Sequence, residues 1–449
     1  MNNRPSIALG FLALIFMGAA VLAAPFAQVS GSWGNAYDSI FTAFSAVCVT
    51  GLTVVDIAAT YTREGQYALL LLVEIGCLGL MTCGTFMLIA IGRRLSLARE
   101  FSLMNAYGVA QVQGLRGLIC WVVGSMAVIE AAGALLYWLF LPSVLPGRDD
   151  YAYLALFYSV MSFCNAGFSI LPGSLAAFAK SPSLVILSGV LTILGGIGFL
   201  VIYNLCTCPL LRGRNRGKGR LSLHTKIVLR YTVYLFTFTF AAFVAVEWTR
   251  SLDGLPFLEK LWTAFYQSVT PRTCGFCLVP TESLQPLTRL VYEMMMFVGG
   301  APGSAAAGIK LTTFAVLCYT LTALCRGENE TIIRRKTIPG PVVRESLVIL
   351  MALIVITAFV TGWLFFSEAG NVAEGKTTLD ALFFEAVSAV TTTGLSVGST
   401  TAGLTPWGRG IIIFAMFTGR LGALTLIMMI GDKETVRRVR FPTEEVIVG

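Results

Sequence analysis

Gly51, Gly167, Gly275 and Gly394 sit in near-copies of one short segment: FTAFSAVCVTGLTV, FYSVMSFCNAGFSI, FYQSVTPRTCGFCL and FFEAVSAVTTTGLSV. A phenylalanine stands ten residues before each glycine, at Phe41, Phe157, Phe265 and Phe384, although only 30 of the 449 residues are Phe. A large apolar residue follows each glycine (Leu52, Phe168, Phe276, Leu395) and then a small one (Thr53, Ser169, Cys277, Ser396). Recurrence of this kind means one structural unit used four times. The chemistry it fits is cation coordination. An ion entering a narrow pore exchanges its hydration water for oxygen ligands, and backbone carbonyls supply them where glycine frees the chain to turn them toward one axis. The candidate ligands are the carbonyls of Val49, Thr50 and Gly51, of Asn165, Ala166 and Gly167, of Thr273, Cys274 and Gly275, and of Thr392, Thr393 and Gly394. A single such glycine reads as helix packing, but four in register favour a filter.

The composition puts these segments in a bilayer. Hydrophobic residues make up 56% and charged residues 12%, about half the charge usual in soluble domains, and mean hydropathy is +0.78. The net charge of +8 does not make a nucleic-acid surface, because the basic residues gather in short loops between apolar spans, as they do on the cytoplasmic side of a membrane. These clusters are Arg93, Arg94 and Arg99; Arg212, Arg214, Arg216, Lys218, Arg220 and Lys226; Arg334, Arg335, Lys336 and Arg344; and Lys433, Arg437, Arg438 and Arg440. Many of the eleven cysteines lie inside apolar spans, Cys206 and Cys208 lack metal-ligand partners, and His224 is the single histidine. Zinc binding, His-based catalysis and a nucleophile–base cluster are thereby disfavoured, so no enzyme is expected.

Each repeat reads as an apolar span, a short segment ending in the glycine motif, and a second apolar span. First spans fall near 7–27, 117–141, 226–249 and 342–367; second spans fall near 67–92, 183–205, 286–325 and 408–430. The expected fold is an all-α integral membrane protein of four membrane-helix, pore-loop, membrane-helix repeats around a central pore: 1–110, 111–218, 219–330 and 331–449. Eight spans place both termini in the cytoplasm. The first span also resembles a signal peptide, yet cleaving it would leave the first repeat incomplete. Asp38 and Asp380 are expected to cap the outer ends of pore helices, with Glu259 and Asp150 somewhat further out, so that each helix aims its negative C-terminal end inward.

The motifs VTGL, CNAGF, TPRTCGF and TTTGLS, in this order with eight spans, resemble the Ktr/Trk/HKT superfamily of potassium transporters, above all its bacterial Ktr translocating (KtrB-type) subunits. The resemblance covers essentially the whole chain, to the ending FPTEEVIVG. It implies one pore per subunit in a homodimer in the bacterial inner membrane. It further implies potassium uptake stimulated by sodium, and potassium preference from glycine at all four filter positions. No Rossmann-type nucleotide motif occurs, so ATP or ADP would act through a separate KtrA-like cytoplasmic ring. A secondary cation carrier working by alternating access is the competing reading; fourfold rather than paired inverted repetition argues against it.

The apolar span 286–325 holds 40 residues, about 60 Å as one helix against a hydrocarbon core of about 30 Å, so it must break. The break falls at Gly299, Gly300, Ala301, Pro302, Gly303, Ser304, Ala305, Ala306, Ala307 and Gly308, and irregular backbone at membrane depth belongs beside a pore. It resembles the intramembrane gating loop of Ktr proteins, but Ala305, Ala306 and Ala307 replace the family's glycine and hydroxyl pattern, which removes expected polar contacts. Arg420, in the middle of an expected span, faces either the pore or a buried acid such as Glu74, Glu130 or Glu293. By resemblance it is a positive barrier below the filter.

Overall fold

The structure, a computed structural model, describes residues 4–79, 82, 115–212, 221–398 and 400–422. The basic residues Arg93, Arg94, Arg99, Arg214, Arg216, Lys218, Arg220, Lys433, Arg437, Arg438 and Arg440 lie outside them, as does the ending FPTEEVIVG.

Among the described residues the regular structure is helical, apart from a small hairpin of Ile332–Ile333 and Lys336–Thr337. The first repeat runs α1 (Arg4–Ala23), α2 (Ala36–Val47) and α3 (Arg63–Leu78). The second has α4 (Leu115–Phe140), α5 (Tyr151–Cys164), α6 (Pro182–Ile197) and α7 (Phe199–Arg212). The third has α8 (Leu223–Glu247), α9 (Phe257–Val269), α10 (Pro286–Phe297) and α11 (Leu311–Cys325). The fourth has α12 (Gly340–Ser367), α13 (Leu379–Val390) and α14 (Pro406–Leu421). Among the described residues three stretches are each long and apolar enough to cross a membrane alone: Gly117–Ser143, Leu223–Glu247 and Gly340–Ser367. The short helices α2, α5, α9 and α13 pack between the longer ones, and α1 lies on α2 with Phe16 and Phe44 edge to face at 6.3 Å.

In every repeat the first helix of several turns after the glycine motif segment stops early, not in the third alone. Helices α3, α6 and α14 each hold 16 residues, about 24 Å, and stop short of a full crossing. Each ends at a glycine in a left-handed conformation, Gly79 (φ 77°), Gly198 (φ 86°) and Gly422 (φ 81°), which a residue bearing Cβ adopts only with strain. At Gly198 the chain bends by 95° into α7. The expected single span 183–205 is therefore not one straight helix, and within the expected spans 67–92 and 408–430 helices α3 and α14 end at Leu78 and Leu421, the residues beyond lying mostly outside the described ones. Arg420 consequently sits in the last turn of α14 rather than at mid-span.

The helix caps also differ from expectation. The cap of α2 is Asn35, whose side chain accepts from Tyr37 N–H at 2.9 Å, and that of α13 is Thr378, which accepts from Ala381 N–H at 3.2 Å. Asp38 and Asp380 occupy the first turns and bind arginines of the preceding repeat's second helix: Arg409 to Asp38 at 3.1 Å and Arg289 to Asp380 at 2.9 Å. Asp150 stands at the cap of α5, meeting Arg63 of α3 at 3.4 Å. Its hydrogen bond from Arg148 holds its carboxyl below the usual carboxylate range. Between repeats 2 and 3 the belt is closed by Trp262 Nε1, which donates to the Ala179 carbonyl at 2.8 Å. Acids near helix N-termini also suit the helix dipole. Two further carboxylates lock helices within a repeat. Fully buried Glu247 accepts from Gln285 N–H at 2.8 Å and Thr288 Oγ1 at 2.5 Å, and fully buried Glu368 accepts from Thr405 N–H at 3.1 Å and Thr405 Oγ1 at 2.5 Å.

Candidate functional site

The four glycine segments meet in one closed ring. A methyl group placed on Gly51 would strike the Ala166 carbonyl and come within 3.0 Å of Gly167 Cα. One on Gly167 would come within 2.9 Å of Gly275 Cα and 3.0 Å of the Cys274 carbonyl oxygen, and one on Gly275 within 3.0 Å of the Thr393 carbonyl oxygen. One on Gly394 would strike the Thr50 carbonyl. The order 51, 167, 275, 394 and back to 51 is cyclic, and at each junction a carbonyl of the neighbouring segment fills the place a side chain would need.

The backbone alternates in handedness through all four segments. Each glycine has positive φ (88°, 70°, 80° and 83°), and so does the residue two before it: Val49 (55°), Asn165 (56°), Thr273 (65°) and Thr392 (51°). The intervening Thr50, Ala166, Cys274 and Thr393 do not. Such alternation turns successive carbonyls to the same side of the strand. The outward N–H groups are taken up by the short helices behind: Thr50 N–H by Ser45 O at 2.8 Å, Ala166 by Met161 O at 3.0 Å, Cys274 by Thr270 O at 3.1 Å and Thr393 by Ser388 O at 2.8 Å. The carbonyls are left to the enclosed axis, toward which α2, α5, α9 and α13 point their negative ends. Above the ring opens a cavity of about 460 Å³ lined by all four glycines, with Asp56, Ser169, Ser396 and Thr401 on its walls.

Residues 298–310 cross between α10 and α11 as a loop held by other repeats. Ala301 N–H donates to Gly196 O at 2.9 Å, Ala305 N–H to Gly195 O at 3.3 Å, and Phe199 N–H to Gly303 O at 3.0 Å, so the break between α6 and α7 forms the loop's seat. Arg272 Nη2, from the third glycine segment, donates to Gly299 O at 3.4 Å. Arg420 Nη1 donates to Ala305 O at 2.7 Å and Nη2 to Gly76 O of α3. Among the described residues Arg420 is in no ion pair, so Glu74, Glu130 and Glu293 are not its partners. Lys310 Nζ donates to Ala306 O at 2.7 Å. Two of the alanines that replace the polar pattern, Ala305 and Ala306, thus bond through their main-chain oxygens, and Ala301, Ala305, Ala306 and Ala307 are all buried.

One recurring signal was missed in the sequence. Gly76, Gly195 and Gly419 lie three residues before the terminal glycines of α3, α6 and α14, and a methyl on any of them would strike the last carbonyls of the short helices, those of Val47, Phe163 and Val390. The third repeat keeps the spacing as Gly300 and Gly303 (φ 68°), but a methyl on Gly300 would meet the Gly196 carbonyl rather than the end of a short helix. The spacing G-x-x-G is legible in the sequence; its meaning, close backbone contact under the ring, arises only from the packing of the repeats.

Residues 22–434 match the TrkH family, described as a cation transport protein. The chain belongs to this family. It is 32% identical over 446 residues to the Ktr system potassium uptake protein B of Bacillus subtilis, covering 99% of this chain and 96% of the relative. It is 30% identical over 451 residues to the potassium/sodium uptake protein NtpJ of Enterococcus hirae, with coverages of 99% and 96%. Its fold is similar to the crystal structure of the potassium transporter TrkH from Vibrio parahaemolyticus, with TM-score 0.71, 16% identity, and coverage of 94% of this chain and 85% of that one. It is a multi-pass membrane protein of a cation transporter family.

Proposed function

We propose that this chain takes up potassium through a channel-like pore, with the ring of Gly51, Gly167, Gly275 and Gly394 as filter and residues 299–308 with Arg420 as gate. The observation that carries the reading is the closed ring with alternating handedness, since it gathers main-chain oxygens of four segments around one axis and leaves no room for side chains. The names of the Bacillus and Enterococcus relatives, potassium uptake and potassium/sodium uptake, support the choice of ion. The same reading makes the protein a homodimer in the bacterial cell membrane with both termini cytoplasmic. Sodium is its activator, and a KtrA-like ring binding ATP or ADP opens the gate.

The test is growth of a bacterium lacking its own potassium uptake, at limiting potassium, with and without sodium. Rescue by the wild type and its loss in Gly51→Ser support the reading; absence of rescue by wild-type protein inserted at normal level overturns it.

A further inference from the structure

The fourth glycine segment is backed by a carboxylate that the filter and gate do not use. Glu385 on α13 is fully buried and accepts hydrogen bonds from Thr401 Oγ1 at 2.8 Å and from Ser396 Oγ. Ser396 is the second residue after Gly394, and Thr401 lies in the turn that carries the chain back to α14; their hydroxyl oxygens are 3.2 Å apart. One buried side chain thus holds two points of the outer lip of this segment. The position of Glu385 is fixed by the repeat, for it directly follows Phe384.

Its counterpart in repeat 2 does the same with different chemistry. Tyr158, which follows Phe157, has its hydroxyl 2.8 Å from Ser169 Oγ and accepts from Leu171 N–H at 3.1 Å. Ser169 stands to Gly167 as Ser396 stands to Gly394. The other two counterparts turn elsewhere: Thr42 donates to Asp38 O on its own helix at 2.8 Å, and Tyr266 lies 3.4 Å from Cys274 Sγ. Gly51 adjoins both Gly167 and Gly394, so repeats 2 and 4 face each other across the ring. Repeats 2 and 4 thus share a side-chain hold on the serine two residues after the glycine, whereas the lip of repeat 3 is held differently, by Thr270 Oγ1 donating to Phe276 O and Cys277 N–H donating to Ser174 Oγ at 3.2 Å.

We propose that Glu385 is a positioning residue for ion selectivity, acting through Ser396 and Thr401, with Tyr158 as its partner across the pore. The inference rests on the filter reading of the ring. Glu385 touches no ion; it fixes Ser396 and so limits how far the Thr393 and Gly394 carbonyls move. A lip released on one side lets those oxygens close on a smaller ion, and preference for potassium over sodium falls.

The experiment measures potassium and sodium flux per inserted protein in proteoliposomes for Glu385→Ala, Glu385→Gln, Ser396→Ala and the Glu385→Ala/Ser396→Ala double variant. The expected result is a loss of up to about tenfold in the flux ratio for either alanine variant, the size associated with losing one buried hydrogen bond. The double variant loses little more, because both changes cut one connection. Glu385→Gln keeps an acceptor oxygen without the charge and restores most of the ratio, separating geometry from a field effect. An unchanged ratio in Ser396→Ala, a smaller truncation than Glu385→Ala at a partly exposed position, overturns the proposal even where Glu385→Ala fails to fold. A changed ratio in Gly51→Ser with unchanged ratios in these variants rejects the positioning role alone; unchanged ratios in all of them reject the filter reading itself.

Discussion

Arg420, in the last turn of α14, donates to the carbonyl of Ala305 at 2.7 Å, joining the end of one repeat to the middle of another's intramembrane loop. Its second nitrogen holds Gly76 O on α3, so a single guanidinium spans repeats 1, 3 and 4 beneath the ring. Hydrogen bonds to a charged group contribute about 1.5–3 kcal/mol each. On the proposed reading the guanidinium closes the gate by a tether as well as by its positive charge. Replacing Arg420 with alanine removes both and is expected to raise flux per inserted protein, on the order of tenfold if one such bond sets the opening equilibrium. Arg420→Lys keeps the charge but loses the two-armed reach, so flux between wild type and alanine separates tether from field. Flux equal to or below wild type in the alanine variant, at normal protein level, rejects the gate role.

Gly51→Ser is expected to lower the potassium-to-sodium flux ratio more than the protein level. The added Cβ meets the Ala166 carbonyl, and φ of 88° strains any residue but glycine. Strain of about 1–3 kcal/mol is relieved by displacing the ring locally, where it alters ion coordination rather than the distant helix packing. Ratio measurements in mixed sodium and potassium, alongside quantification in the membrane, decide; unchanged selectivity removes Gly51 from the filter.

Much of the site was legible because glycine is demanding at a few places. The ring glycines announced themselves through a shared register with Phe41, Phe157, Phe265 and Phe384, and the broken third span announced itself through a length no bilayer accommodates. The breaks at Gly79, Gly198 and Gly422 escaped because hydropathy continues on both sides, and one glycine in an apolar run reads as helix packing. The capping role assigned to Asp38 and Asp380 failed for a related reason. Local sequence offered a carboxylate near a helix start, whereas Arg409 and Arg289, distant in sequence, claimed it. Arg420 was legible as an anomaly, but its partners are main-chain oxygens, and no residue type marks those in advance.

Glu368→Ala is expected to lower stability while leaving selectivity intact. The carboxyl holds Thr405 N–H and Oγ1 at the start of α14, and its loss leaves buried donors unsatisfied, at a cost of about 1–3 kcal/mol. Thermal unfolding of purified protein followed by fluorescence measures the loss, and an unshifted transition shows that water replaces the carboxylate. Gly408 packs against the same carboxyl, so Glu368→Gln, of equal size, is expected to lose less than alanine.

Deleting residues 301–307 is expected to raise maximal flux. The segment is seated on Gly195 and Gly196 and tied by Arg420 and Lys310, yet its own side chains are small, with buried alanines at 301, 305, 306 and 307. The Arg420 and Lys310 ties end on loop carbonyls, and the side chains that the loop contributes to the surrounding hydrophobic clusters are small methyls, those of Ala301 and Ala305. Gly299 N–H bonds Ile309 O at 3.0 Å, which brings the two ends of the deleted stretch together and makes a short closure sterically feasible. Removal then clears the path below the ring without separating α10 from α11. Flux per inserted protein is compared for the deletion, for Arg420→Ala and for both together. If the loop and the arginine form one gate, the combined variant conducts no faster than the deletion alone. Flux lost in the deletion, with insertion and thermal stability unchanged, would show that the loop builds the conduction path instead of closing it.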